Sequence, residues 1–144
     1  MSIPARISLV TLGVDDVAGV AAFYDRLGWR RSSASVEGDV AFFDLDGTVL
    51  AIWGHDDLAA DARATPGTQR DPGSHALAIN VESPAEVDAL LETAAAAGAT
   101  ILKPGTATDW GGYSGYFADP AGHWWEVGHN PGWPLDADGR VQLP

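Results

Sequence analysis

The fold of this chain is decided by residues 108–131, which read TDWGGYSGYFADPAGHWWEVGHNP. Within this stretch, the aromatic residues and flanking glycines of 113–118 predict a β-strand. The sequence Asp119-Pro120-Ala121-Gly122 predicts a tight turn, because aspartate, proline and glycine suit its first, second and fourth positions. Residues 123–127 are therefore predicted to return as the antiparallel partner strand.

The returning strand carries a carboxylate whose position needs a reason. Side chains alternate along a strand, so Trp124 and Glu126 share one face. His123, Trp125 and Val127 share the other. A carboxylate between tryptophans is costly to bury without a partner, which makes Glu126 the candidate catalytic or ligand-binding residue. The alternative is a structural carboxylate paired with an arginine or with a tryptophan N–H.

The composition bounds the class of protein. The chain has 144 residues, of which 46% are hydrophobic and 19% charged, as in soluble globular proteins. Its net charge of -12 repels a phosphate backbone, so nucleic acid is not an expected partner. No apolar run approaches the roughly 20 residues of a membrane span, and the N-terminus lacks a signal-peptide pattern. We therefore expect no membrane partner and a cytoplasmic location.

The chain repeats one order of elements twice. In the first module a strand at 7–14 is followed by a helix that is capped by Asp15 or Asp16 and ended by Gly28. Three further strands are predicted at 29–36, 39–45 and 48–53. Asp46-Gly47 is the strongest hairpin signal in that module. In the second module a strand at 76–81 precedes the capping sequence Ser83-Pro84-Ala85-Glu86 and a helix ended by Gly98. A strand at 100–103 and the hairpin described above complete it. The repeat predicts an α+β fold of two tandem βαβββ modules.

These elements divide a single domain into four parts. Module one covers residues 5–54 and module two residues 74–131. Residues 55–73, rich in aspartate, alanine, proline and glycine, are predicted to be a linker with one short helical turn at 57–62. Residues 104–110 are predicted to be a loop, and residues 132–144 a C-terminal tail.

The tandem arrangement, with a first helix ending in Leu27-Gly28-Trp29, resembles the vicinal oxygen chelate superfamily, which includes glyoxalases, bleomycin-resistance proteins and extradiol dioxygenases. The resemblance rests on VTLGVDD (10–16), FYDRLGW (23–29) and FADPAGHWWEV (117–127). WGGYSGYFADP (110–120) with the HNP tail is similar to a glyoxalase-like subfamily. The resemblance covers residues 7–131. It implies that the modules form a cupped mixed β-sheet with the helices outside, and that the cup holds a ligand or a metal.

The resemblance also implies where metal ligands belong. The metal enzymes of that superfamily take His and Glu ligands from the first and fourth strands of each module, which here fall at Leu9, Ala51, Ala76 and Glu126. Only Glu126 matches. His75 lies one residue from Ala76, and a β-bulge after Ser74 would turn it inward. Because a catalytic zinc takes three protein ligands, and non-haem iron two histidines and a carboxylate, we expect a degenerate metal site without a cofactor.

Aromatic side chains are the other candidate ligand-binding residues, namely Trp53, Trp110, Tyr113, Tyr116 and Trp124. Gly111, Gly112 and Gly115 permit close backbone approach, so these aromatics are hypothesised to line a cavity. The alternative is that the glycines and tyrosines only pack the sheet.

Three functions remain open. The first is a binding protein of the bleomycin-resistance type, whose acidic, aromatic cup takes a small organic ligand, cationic and planar in character. The second is a metal-dependent lyase, isomerase or dioxygenase of the glyoxalase type, with His75 and Glu126 binding Ni, Zn, Fe or Mn. The third is a metal-free enzyme in which Glu126 is a general base. We expect a homodimer, because a cupped sheet of this size needs a covering partner.

Overall fold

The computed structural model of the chain describes residues 3, 5–64 and 75–144. They form two compact units, Met1–Arg70 and Asp71–Pro144. The first contains β1 (Leu9–Val14), α1 (Val17–Arg26), β2 (Val40–Leu45), β3 (Thr48–Gly54) and α2 (His55–Asp61). The second contains β4 (Leu77–Asn80), α3 (Pro84–Ala97), β5 (Thr100–Ala107), β6 (Tyr113–Ala118) and β7 (Trp124–His129). The α+β class is confirmed, and none of these helices is long and apolar enough to cross a membrane.

In the first unit a three-stranded sheet has the order β1-β3-β2, with β1 parallel and β2 antiparallel to β3. Helix α1 begins at Asp16, whose carboxylate accepts the Gly19 N–H at 3.0 Å, as predicted for an N-cap. It ends at Leu27, before Gly28 with φ 85°. The β2–β3 hairpin turns at Asp46-Gly47, also as predicted.

The core of the first unit lies between α1 and its sheet. Phe23 and Tyr24 of α1 are fully buried, as is Phe43 of β2. The Tyr24 ring stacks on Trp29 at 5.3 Å between centroids and lies 5.7 Å from the Phe43 ring. Ring contacts of this kind stabilise the core in addition to the burial of apolar side chains such as Leu50 of β3.

Residues 29–36 do not form the predicted strand. Two isolated bridges link the segment to β2, namely Arg31–Phe43 and Val36–Val40. The Ser35 hydroxyl accepts the Phe42 N–H at 2.9 Å, and the Ser32 hydroxyl accepts the Ala34 N–H at 3.1 Å. Serine hydroxyls here bind backbone N–H groups that a continuous ladder would use, so this part of the prediction was wrong.

The second unit has the complete βαβββ order, with a sheet of order β4-β7-β6-β5 in which β4 is parallel to β7. Helix α3 has the predicted start, since the Ser83 hydroxyl accepts the Glu86 N–H at 3.2 Å. The Glu86 carboxylate accepts the Glu82 N–H at 2.8 Å, one residue before the capping serine. Gly98, with φ 111°, ends the helix as predicted.

Helix α3 covers one face of the second sheet. Its buried residues recur at helical spacing, namely Val87, Leu91, Ala94 and Ala97. On the sheet, the rings of Phe117 and Trp125 stack at 6.2 Å. A Cβ on Gly115 would lie 2.5 Å from a methyl group of Leu91, so only glycine admits this helix contact. We call the face covered by α3 the near face and the opposite one the distal face.

Strand β5 is longer than predicted. The expected loop at 104–110 is strand up to Ala107, and its pairing with β6 is irregular on both sides of Lys103. Pro104 has no N–H to donate, so the strand passes it only with a break in the ladder. The remaining loop is closed by the Thr108 hydroxyl, which accepts the Gly112 N–H at 3.0 Å.

The predicted linker begins with a helix instead of a loop. Helix α2 follows β3 directly, two residues earlier than the turn expected at 57–62. Asp56 and Asp57 lie in its first turn, where carboxylates stabilise a helix N-terminus. Residues 65–73 of the predicted linker, and the β-bulge predicted after Ser74, lie outside the described residues.

The α3 cap provides a test of the helix start. Replacing Ser83 by alanine should lower the free energy of unfolding by about 1 kcal/mol, because the Glu86 N–H loses its acceptor. Urea unfolding of the variant measures this. Ser33→Ala, at an exposed serine in the segment before β2, is the matched control and should change stability by less than about 0.5 kcal/mol. Equal losses in the two variants would contradict the assignment.

Candidate functional site

The distal face of the second unit carries the predicted residue Glu126. Tyr113 and Gly115 of β6 contact α3, so alternation turns Ser114 and Tyr116 to the distal face. Tyr116 pairs with Glu126 across β6 and β7. A Cβ on Gly128 would lie within 4 Å of both the Glu126 carboxylate and Ser114, so these side chains share that face.

Tyr116 and Glu126 are cross-strand neighbours whose side chains interact. Burial raises the pKa of Tyr116 above its ordinary value, and the charge of Glu126 and hydrogen bonding to its carboxylate raise it further. Loss of the phenol proton would bring a second negative charge beside that of Glu126. Tyr116 therefore stays protonated near neutral pH.

Lys103 lies on the other side of Tyr116. Its ammonium donates to the Ser114 hydroxyl at 3.3 Å and lies 5.8 Å from the centroid of the Tyr116 ring, within cation–π range. Ser114 is only 2% exposed, so this hydrogen bond satisfies a buried polar group. Lys103 is half-buried and is the only lysine in the sequence.

A β-bulge turns Lys103 toward this site. Ile101 pairs with Phe117, so regular antiparallel pairing would set Lys103 opposite Gly115, on the near face. The observed partner of Lys103 is Tyr116, because one extra residue is inserted between the two pairs. The bulge thus exchanges the face to which the lysine points.

The result is a row of side chains across the distal face, from Lys103 through Tyr116 and Glu126 to Ala78, which we call the distal row. Strands are spaced by about 4.8 Å, so the backbones of Lys103 and Glu126 lie about 10 Å apart. The row presents a cation at one end and a carboxylate near the other, separated by a phenol. The sequence predicted Tyr116 and Glu126 as site residues but missed Lys103 and Ser114. The feature of the sequence that would have indicated Lys103 is that it is the only lysine in a strongly acidic chain.

The other predicted aromatic residues do not all reach this face. The Tyr113 hydroxyl donates to Asp88 of α3 at 3.0 Å, which raises the pKa of Tyr113 and places it on the near face. Trp124 lies on the distal face, because side chains alternate along β7 and Trp124 is two residues from Glu126, and it is 38% exposed. Trp110 is 54% exposed in the loop before β6, with its ring against Gly112. Trp53 belongs to β3 of the first unit and is half-buried.

His75 lies just before β4 and is exposed. Its ring centroid lies 6.0 Å from that of His123, the residue that precedes β7. His123 itself is half-buried. The contact of His75 is thus with a second histidine, while Glu126 binds Tyr116; a joint role for His75 and Glu126 stays a prediction.

The side chains around Glu126 include few groups that could coordinate a divalent metal. Its cross-strand neighbours are Tyr116 and Ala78. The equivalent position in the first unit is Ala51, paired with Phe42 and Thr11. In residues 5–64 and 75–144, no three His, Cys, Asp or Glu side chains group as metal ligands. Since a catalytic zinc takes three protein ligands, the described residues do not fit a chelated metal.

The order of helices and strands is that of an α+β protein with the glyoxalase fold. The Glyoxalase/Bleomycin resistance protein/Dioxygenase superfamily model matches residues 6–127, and the chain belongs to this superfamily. This confirms the resemblance inferred from the sequence.

Solved structures extend the comparison. A glyoxalase-related enzyme from Fulvimarina pelagi is 38% identical, covering 97% of this chain and 99% of that chain, with a TM-score of 0.86. A glyoxalase/bleomycin resistance protein/dioxygenase from Nocardioides is 25% identical over 100% and 92%, with a TM-score of 0.73. A lactoylglutathione lyase from Agrobacterium tumefaciens is 26% identical over 93% and 100%, with a TM-score of 0.70. No match was found among curated proteins.

The pKa of Tyr116 tests its interaction with Glu126. In a Tyr113→Phe background Tyr116 is the only accessible tyrosine, because Tyr24 is fully buried. Tyrosinate absorbance should then rise only above the ordinary pKa of 10.0. Adding Glu126→Gln should move this titration to lower pH, since charge repulsion is lost while burial remains.

Stability should follow the same titration. Because the folded-state pKa is raised, the stabilisation by the Tyr116 proton is present below the unfolded pKa and is lost as the pH rises through the folded one. Glu92→Gln, at an exposed carboxylate on α3, is the control and should leave the absorbance curve unchanged. An identical curve for Glu126→Gln would disprove the pairing.

Proposed function

We propose that this protein binds a small organic ligand on the distal face of its second unit, without a chelated metal. The observation that carries the proposal is the cross-strand pairing of Tyr116 with Glu126 on a face that also holds Lys103. Ligand sites combine apolar and aromatic surface with a few fixed polar groups. Trp124 and the Tyr116 ring supply the aromatic surface, and Glu126 supplies a hydrogen-bond acceptor.

The half-buried carboxylate gives the ligand its orientation. Glu126 is the cross-strand neighbour of Tyr116, and its carboxylate can accept several hydrogen bonds. A ligand hydroxyl, amide or amine near Glu126 would donate to it, while the ligand's ring packs on neighbouring aromatic surface. The carboxylate thus selects for a hydrogen-bond donor at one end of the ligand.

An enzyme of the same superfamily is the second candidate. The Fulvimarina pelagi relative is described as glyoxalase-related, and the Agrobacterium tumefaciens relative as a lactoylglutathione lyase. A metal-free mechanism is favoured by the Tyr116–Glu126 pair, because Glu126 could take a proton from substrate while Tyr116 steadies it. A metal-dependent lyase, isomerase or dioxygenase would need further ligands to join Glu126, and His75 contacts His123 instead.

We also propose that the protein is a homodimer in the cytoplasm. The acidic composition and the absence of cysteine are compatible with that location. Light scattering after size-exclusion chromatography measures the mass, and a monomer at all concentrations would oppose the dimer.

Ligand binding is the direct test of the proposed function. Para-hydroxybenzamide and related planar phenols and amides should quench tryptophan fluorescence saturably, because Trp124 lies on the distal face. Glu126→Gln should weaken binding about fivefold, since a charged acceptor forms stronger hydrogen bonds than a neutral one by about 1 kcal/mol. Glu92→Gln is the matched control and should bind as the wild type does.

The same samples separate binding from metal-dependent catalysis. Affinity should be unchanged after dialysis against a chelator, with metal content followed by elemental analysis. Silence of all probes at millimolar concentration would reject the proposal. A stoichiometric metal that is lost in Glu126→Gln, together with turnover of the methylglyoxal–glutathione adduct, would favour the lyase instead.

A further inference from the structure

We infer that Lys103 gives the distal row a subsite for an anionic oxygen group, so that the ligand is an organic acid with its carboxylate or phosphate at the β5 end. This inference rests on the proposed function and names its ligand class. It departs from the cationic ligand expected from the net charge of the chain.

The first support is the electrostatic environment of Lys103. Among the basic side chains of the described residues, Arg30, Arg31 and Arg140 each pair with carboxylates. Lys103 has only neutral partners, the Ser114 hydroxyl and the Tyr116 ring, and forms no ion pair in the part of the chain that the structure describes. A ligand anion would therefore be the first charged partner of this ammonium among the described residues.

The second support is the bulge that aims this side chain. Regular pairing would have left Lys103 opposite Gly115, where α3 packs. The inserted residue interrupts the β5–β6 ladder and turns the ammonium to the face that carries Glu126. Bulges of this kind are common beside functional sites, where they redirect a side chain.

The third support is the distribution of hydrogen-bond donors. A lysine ammonium has three N–H donors, and Lys103 uses one of them on Ser114. Lys103 is the positively charged donor of the distal row, so it is the group that an incoming oxyanion would meet. Glu126, on the second strand from Lys103, repels an anion at its own end of the row. The row therefore fixes polarity, with the ligand's anion at Lys103 and its hydrogen-bond donor at Glu126.

The local charge outweighs the net charge at contact distance. Charges on the rest of the surface are screened within about 8–10 Å at physiological salt. An ammonium that is partly removed from water acts more strongly on a group that it touches. The net charge of -12 slows the approach of an anion but does not set its affinity in this subsite.

Three probes of one shape test the inference, namely para-hydroxybenzoate, para-hydroxybenzamide and para-hydroxybenzamidine, which are anionic, neutral and cationic. Calorimetry at low salt should show the benzoate binding about tenfold tighter than the benzamide, and the benzamidine weakest. In Lys103→Met, which keeps the apolar stem, the preference for the benzoate over the benzamide should disappear. Lys103→Arg should retain the preference. Phenyl phosphate in place of the benzoate shows whether the subsite favours a carboxylate or a phosphate.

The outcomes separate the two proposals. Equal affinities of benzoate and benzamide in the wild type, or a benzoate preference that survives in Lys103→Met, would overturn the lysine subsite and leave ligand binding in place. Failure of every probe would overturn both. Urea unfolding of Lys103→Met is the folding control, and Lys103→Arg shows that the site tolerates a substitution that keeps the cation.

A second readout uses the single lysine directly. Reductive methylation with a carbon-13 label places one side-chain signal on the protein, at Lys103, apart from that of the N-terminal amine. Para-hydroxybenzoate should shift this signal saturably and para-hydroxybenzamide should not. A signal that responds equally to both probes, or only in proportion to ionic strength, would contradict the subsite.

Discussion

The burial of α3 against one face of the second sheet fixes the phase of every strand in that sheet. Gly115 must face α3, because a side chain there would collide with Leu91. Strand alternation then sends Tyr116 to the opposite face, and pairing brings Glu126 beside it. A slip of one residue would exchange the two faces and bury the carboxylate beneath the helix. Packing on one side of the sheet therefore determines the chemistry on the other.

The distal row carries a separated pair of charges. The position equivalent to Glu126 in the first unit is Ala51. One carboxylate offers a metal too few ligands but offers an organic molecule a directed acceptor. Lys103 supplies the opposite charge from a neighbouring edge strand. A phenol between them keeps its proton, so the arrangement holds a fixed direction across the sheet.

Features with a local cause could be predicted from the sequence. The strand over Tyr113–Ala118, the cap at Asp16 and the helix end at Gly98 follow from turn and cap chemistry within a few residues. Residues 29–36 were predicted wrongly, because the period of apolar residues does not reveal that serine hydroxyls will bind the backbone. Of the candidate site, Glu126 was named from the sequence and Lys103 was not. Glu126 stands out by its type, but Lys103 reaches the distal face through a bulge that depends on pairing with a distant strand.

The single lysine of the sequence affects how the protein can be labelled or immobilised. Besides the N-terminal amine, Lys103 is the one amine that acylating reagents can modify, and it lies within the candidate site. Coupling the protein to a sensor surface or a dye through amines would therefore place the attachment on the distal row. A preparation handled in this way would lose its cation before any ligand is added, and a silent binding curve would then report the chemistry of immobilisation.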